Sequence, residues 1–222
     1  HLKYFTFTGR KIMTIQFHKR RMTPENRRQQ LLDIAIDLFS HKGIGETKHA
    51  DVAKAAGVSV ATTFVYFPTR DDFVHAVLDH LRKELFTLLD WSPYEGLPVN
   101  EILSRMAWRL LERVETHPSY MRMMLVWSAQ FSPDVRQKYL THQEIYLDQL
   151  MLLLNEKAAR HPNSGDPLER PVGRDDARIL NSATNALVQM KLDGAEDDKL
   201  ARFIDHTIAV VLAYRADSHK AR

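Results

Sequence analysis

Residues Lys48–Arg70 read KHADVAKAAGVSVATTFVYFPTR. A helix from about Lys48 to Ala56 meets Gly57-Val58, and Ser59 then caps a second short helix through Tyr66. Ala53 stands four residues before Gly57, small enough for the second helix to approach closely. Glycine itself takes the left-handed conformation that a tight turn needs. Val52, Ala56, Val58 and Phe64 are placed to lock the pair together. Pro68 stops the second helix, and Thr69 with Asp72 forms a capping box for the next one. The layout is a helix-turn-helix.

Upstream, Thr23 caps a longer helix, Pro24 suits its first position and Glu25 favours the positive end of its dipole. Leu31, Ile34, Ala35, Leu38 and Phe39 form one apolar stripe on it, and His41-Lys42-Gly43 closes it. Downstream, the helix after Thr69 turns Phe73, Val74, Val77, Leu78, Leu81 and Leu85 inward and runs to about Leu89. Trp91–Val99, with Pro93, Gly96 and Pro98, reads as a connector. Beyond it five helices are expected, at about 100–116, 119–130, 133–160, 175–192 and 197–216. A long loop, Arg160–Arg174, separates the third of these from the fourth. No sustained period-2 alternation supports a sheet, so the expected fold is all-α. It comprises an N-terminal three-helix unit that carries the helix-turn-helix and a C-terminal helical bundle. The expected division is a basic arm over 1–22, the helix-turn-helix domain over 23–68, a connecting helix over 69–90 and a regulatory domain over 91–222.

The 222 residues carry 31 Lys+Arg and 28 Asp+Glu, but the positive charge is concentrated at one end. Residues 1–30 hold eight cations against Glu25 alone, whereas 31–90 and 91–222 are slightly acidic. Clustered cations suit a polyanion, and a solvated tail is the plainer reading of the same cluster. Residues 1–12 read either as native arm or as a tag or upstream read-through, with Met13 an alternative start. With no Cys at all, a disulfide scaffold, a Cys-ligated metal and a thiol nucleophile are excluded. His75 and His80 stand about 140° apart around a helix and do not converge on a metal. No phosphate loop, zinc motif or nucleophile elbow is present, so neither an enzyme nor a cofactor is expected. No apolar run reaches the ~20 residues of a membrane span, and no signal peptide is read, so a cytoplasmic, nucleoid-associated protein is expected.

A helix-turn-helix inserts its second helix into the major groove of double-stranded DNA. There Ser59, Ala61, Thr62, Val65 and Tyr66 suit phosphates, thymine methyls and one or two base edges. A helical hairpin packed on a core is the alternative for the motif alone. In the second half, Met121, Met123, Met124, Trp127, Phe131 and Tyr139 are soft and aromatic. They read as the lining of a small-molecule cavity together with Met106, or as a Met-rich core. The last two helices carry stripes at Ile179, Ala183, Ala186, Leu187 and Met190, and at Leu200, Phe203, Ile204, Ile208, Val211 and Leu212. Such stripes bury within one chain or against a twin.

Gly43-Ile44, Val52-Ala53-Lys54-Ala55-Ala56-Gly57-Val58-Ser59, Tyr66-Phe67-Pro68-Thr69-Arg70 and Phe73 together resemble the signature of TetR-family transcription regulators. Within that family the nearer resemblance is to the LuxR/HapR-type quorum-sensing regulators of vibrios. It rests on Gly43-Ile44-Gly45, His49-Ala50-Asp51, Val58-Ser59-Val60-Ala61-Thr62, Tyr66–Arg70, the basic arm and Trp127-Ser128-Ala129. The resemblance implies phosphate contacts from Lys48, His49, Tyr66 and Arg70, and base-facing positions at Val60, Ala61, Thr62 and Val65. It also implies a minor-groove arm at Lys19, Arg20 and Arg21. Val65 stands where those regulators usually carry Asn, and Thr63 replaces an aliphatic residue, which implies an altered base preference. The resemblance further implies an apolar effector pocket and a homodimer docked through Ile179, Ala183, Ala186, Leu187, Met190, Phe203, Ile204, Ile208 and Val211. A bacterial regulator on a pseudo-palindromic operator is the expected function, and a nonspecific architectural DNA binder is the alternative.

Overall fold

The computed structural model describes residues 5–7, 10–12, 22–90, 92–94, 96–130, 132–160 and 173–217. Its helices are α1 (Pro24–Lys42), α2 (His49–Ala56), α3 (Val60–Tyr66), α4 (Arg70–Phe86), α5 (Val99–Thr116), α6 (Pro118–Ser128), α7 (Pro133–Arg160), α8 (Arg174–Leu192) and α9 (Asp197–Asp217). Single 3-10 turns at Thr87–Leu89 and Ser92–Tyr94 follow α4. The predicted all-α bundle is what forms. It has one addition: strands β1 (Phe5–Phe7) and β2 (Arg10–Ile12) pair antiparallel, Phe5 opposite Ile12. Three-residue strands are too short for their alternation to register in a periodicity reading.

The helix ends follow from local chemistry. Thr23 Oγ1 accepts the Asn26 amide at 3.2 Å, Ser59 Oγ the Thr62 amide at 3.1 Å and Thr69 Oγ1 the Asp72 amide at 3.0 Å. Asp72 Oδ2 answers by accepting the Thr69 amide at 3.2 Å, completing the capping box. Gly57 takes φ +66° and ψ +37°, the left-handed turn, and Val58 N–H then closes back on the Ala53 carbonyl at 3.0 Å.

Three apolar clusters hold the molecule. In the first, Leu31, Leu32, Ile36 and Phe39 of α1 meet Val52, Phe67, Phe73, Val77, Leu78 and Leu81. Met123 and Trp127 of α6 belong to the same cluster, so a helix from the second half closes the core of the first. A second cluster joins α5, α7, α8 and α9 around Leu147 and Leu150. The third gathers Leu111, Met121, Val188 and Leu200. The segment 120–127, YMRMMLVW, is apolar on nearly every side because one side of α6 faces α1 and α4 and the other faces the bundle. Among the described residues no helix is long and apolar enough to cross a membrane.

Candidate nucleic-acid interface

Two residues fasten α3 and its end to the core. Thr63 is 1% exposed, with its hydroxyl bonded to the Val60 carbonyl at 2.7 Å, and Phe67 is also 1% exposed. The hydroxyl is therefore satisfied within its own helix, which lets Thr stand where an aliphatic would serve. The opposite side of α3 faces out. Val65 is 78% exposed, Phe64 46% and Val60 42%, and Ala61 lies between them. Three large apolar side chains turned outward on a seven-residue helix form a surface suited to thymine methyls. Phe64 was expected in the small core of the pair. Instead it projects from α3 and stacks on the His49 ring at 4.3 Å. Thr62 and Tyr66 are half-buried at one flank, and the Thr62 hydroxyl lies 2.9 Å from Ser59 Oγ. Lys48 and Lys54 are exposed beside the turn. Asp51 is held below its ordinary carboxylate value, chiefly by accepting the Lys48 amide at 2.8 Å and then by Lys42 Nζ at 3.1 Å.

Two of the residues placed on phosphates turn inward. His49 is only 7% exposed; its Nε2 meets the Phe67 carbonyl at 2.9 Å, and its ring packs between Phe64 and Phe73. Arg70 donates to the Ile44 carbonyl, and its guanidinium carbon lies 5.5 Å from the Phe39 ring centroid and 5.6 Å from that of Phe73. Burial pushes Arg70 below the usual guanidinium value. Both residues brace the junction of α2, α3 and α4 from within. Lys19, Arg20 and Arg21 lie outside the described residues.

Behind this unit, α4 to α9 enclose a cavity of about 180 Å³. Met106, Met124, Trp127 and Tyr139 line it, as expected. Met121 does not, being buried in the third cluster, and Phe131 lies outside the described residues. Phe86 also lines it, with the polar Arg82, His142, Gln143, Tyr146 and Asn181, of which composition gave no sign. Their positions on α4, α7 and α8 are distant in sequence, and only packing brings them together.

The expected docking stripe is divided by the structure. Leu187, Ile204 and Val211 are buried within the chain, and Ala183, Phe203 and Ile208 face the cavity. Met190 is half-buried against the third cluster. Ile179 and Ala186 remain outside, joined by Ser182 and Gln189 on α8 and by His206, Ala209 and Val210 on α9. On α8 and α9, Leu187, Ile204 and Val211 fill the bundle, while Ile179, Ala186, Ala209 and Val210 lie on the outer face.

A polar seam binds the two halves. Tyr120 OH of α6 donates to Asp33 Oδ1 of α1 at 2.6 Å, and His80 Nε2 of α4 lies 3.1 Å from the same oxygen. Ser119 donates to Asp37 at 2.5 Å, and Arg122 Nη1 to His41 Nε2 at 2.8 Å. Burial, then Asp33, pushes the Tyr120 phenol well above its ordinary value, so it stays a donor.

Residues 31–77 match the family described as bacterial regulatory proteins, tetR family. The chain is 35% identical over 121 residues to the HTH-type transcriptional regulator LuxR of Vibrio harveyi, covering 54% of this chain and 59% of that protein. The chain thus spans less than two thirds of that relative. A TetR-like transcriptional regulator from Rhodococcus sp. RHA1 superposes with a TM-score of 0.67 at 21% identity, over 87% of this chain and 99% of that one. The regulator FadR from Bacillus subtilis, solved in complex with stearoyl-CoA, superposes with a TM-score of 0.66 at 15% identity, over 83% of this chain and 97% of that one. These two show a shared fold. The helix-turn-helix thus carries a match to the TetR family of bacterial regulatory proteins over residues 31–77, and about half of the chain is similar to LuxR.

Proposed function

We propose that the chain is a sequence-specific DNA-binding transcription regulator acting as a homodimer on a pseudo-palindromic operator. The observation that carries this reading is the outer face of α3. Val60, Ala61, Phe64 and Val65 are turned to solvent there, while Thr63 and Phe67 hold the helix to the core. A monomeric globular domain gains nothing by exposing that face, whereas a recognition helix needs it. Lys48, Lys54 and Tyr66 flank it as phosphate contacts, and Lys19, Arg20 and Arg21 supply the arm.

Residues 23–68 read the DNA, 69–90 connect and 91–222 sense and dimerise. Ile179, Ser182, Ala186 and Gln189 recur at helical spacing on α8, and with Ala209 and Val210 they form the self-docking face. Small residues there let two copies approach closely, and two-fold symmetry sets the recognition helices about 34–36 Å apart, one DNA turn. The cavity is an effector site, a reading supported by the FadR complex with stearoyl-CoA. Its walls on α4 and α6 continue into the seam with α1, so a molecule that shifts them tilts the helix-turn-helix. The resemblance to quorum-sensing regulators supports a global regulator of that type in the bacterial cytoplasm. The function is binding rather than catalysis.

Footprinting on genomic DNA of the host tests the proposal. The expected result is a protected stretch of about 20 base pairs, two consecutive major-groove half-sites. Val65→Glu erases it without lowering the melting temperature, because Val65 is 78% exposed. Uniform, salt-sensitive protection with no boundary overturns specific regulation in favour of architectural binding.

A further inference from the structure

We propose that the cavity takes a small amphipathic anion, a carboxylate carried on an apolar body about the size of one aromatic ring. This deepens the effector reading above and rests on it. Three buried polar atoms of the cavity lining are without a partner: Trp127 Nε1, Arg82 Nε and His142 Nδ1. Trp127 as a whole is only 3% exposed. Buried donors are almost always satisfied, and three orphans on one cavity wall are unlike an ordinary core. Two other polar groups of the lining are paired: Tyr139 with Asn181, and Tyr146 with Thr184.

The three orphans sit together. The Trp127 and His142 rings meet edge to face at 5.1 Å, and Arg82 lies over the Phe86 ring at 5.4 Å, near enough for its charge to act on His142. Among the described residues no Asp or Glu lines the cavity, and Arg82 brings a formal positive charge to it. The nearest acid, Asp79 of α4, stands 3.6 Å from the other face of His142 at Nε2 and is engaged by Lys138 of α7 at 3.2 Å. A positive, donor-bearing wall in an otherwise apolar cavity selects an anion with an apolar body. A two-oxygen carboxylate accepts the donors of Arg82 and Trp127 together. The volume, about 180 Å³, sets the size of that body: an apolar cavity of roughly 150 Å³ in another protein admits benzene.

The test is calorimetric titration of the DNA-free chain with three probes of equal length: 3-phenylpropanoate, 3-phenyl-1-propanol and 3-phenylpropylamine. The carboxylate is expected to bind about tenfold tighter than the alcohol, and the amine weakest, since only the carboxylate matches a charged donor. Arg82→Met should cut the carboxylate's affinity by about tenfold and leave the alcohol's unchanged. Arg82→Gln removes the charge and keeps a polar side chain, so it reads the same preference if Arg82→Met fails to fold. Equal affinities for the three probes, no carboxylate binding, or an unaltered preference in folded variants overturns the proposal. Parallel footprinting separates the two readings. No carboxylate binding by a chain that still footprints DNA refutes the ligand class alone. A carboxylate preference in a chain without a footprint supports the ligand class and refutes the regulator.

Discussion

Arg70→Ala separates a bracing residue from a DNA contact. The guanidinium donates to the Ile44 carbonyl and lies 5.5 and 5.6 Å from the Phe39 and Phe73 rings. A hydrogen bond from a charged donor contributes about 1.5–3 kcal/mol, and each ring contact roughly 0.5–1 kcal/mol. Against this stands Nη1, buried without a partner, which costs roughly 1–3 kcal/mol in the native protein and is relieved in the variant. The net loss is about 2 kcal/mol, a fall of roughly 4–8 °C in melting temperature for a chain of this size. Circular dichroism melts read that shift. Anisotropy with a labelled duplex at low temperature, where both proteins are folded, should give affinities within about threefold of each other. An unchanged melting temperature with a large loss of DNA affinity would refute the inward placement and return Arg70 to the phosphate backbone.

Further outcomes follow from the seam, the cavity and the outer face. Tyr120→Phe removes the hydroxyl that joins α6 to Asp33, and urea titration should show a loss of about 1–2 kcal/mol with helicity unchanged. His142 lies below its ordinary value of 6.5 because burial, then Arg82 and Lys138, disfavour its charged form and outweigh Asp79. The unfolded chain therefore binds the extra proton first. Stability contributed by neutral His142 is full above pH 6.5 and is lost as pH falls below it, until the folded-state ring itself protonates. His142→Gln should flatten that acid-side slope in melts taken across the range. Ala186→Arg, placed on the exposed face of α8, should convert a dimer to a monomer in analytical ultracentrifugation with little change in monomer stability.

What could be read in advance tracks where the determinants lie. Helix limits are written locally, in Thr23, Ser59, Thr69 and Gly57, and the observed ends fall within a residue or so of them, α4 apart. That helix gives way to a 3-10 turn at Thr87, where Thr87 Oγ1 bonds the Glu84 carbonyl. The outward face of α3 was also legible, because its exposed and buried sides alternate within seven residues. His49 and Arg70 were misplaced for the opposite reason. Their polar chemistry suits phosphate, yet Phe39, Phe64, Phe67 and Phe73 draw both side chains inward from three separate segments. Those four phenylalanines, in and around the motif, were the available signal. On α8 and α9 both sides are partly apolar, so hydrophobicity alone could not say which side faces the cavity. Tertiary packing separates them: Leu187, Phe203 and Ile204 inside, Ile179, Ala186 and Val210 outside. Arg82 and His142 meet only through packing of α4 on α7, and no local pattern announces that.

The central claim, that α3 reads a specific sequence on behalf of a symmetric dimer, is tested most directly by selecting binding sites from random DNA. The wild-type chain and Val65→Asn would be compared at about 0.15 M salt, where phosphate contacts alone are weak. The account predicts an enriched pseudo-palindrome of about 20 base pairs, changed in the variant at one symmetric pair of positions toward adenine. No enriched sequence from the wild type, or the same palindrome from both proteins, would contradict it.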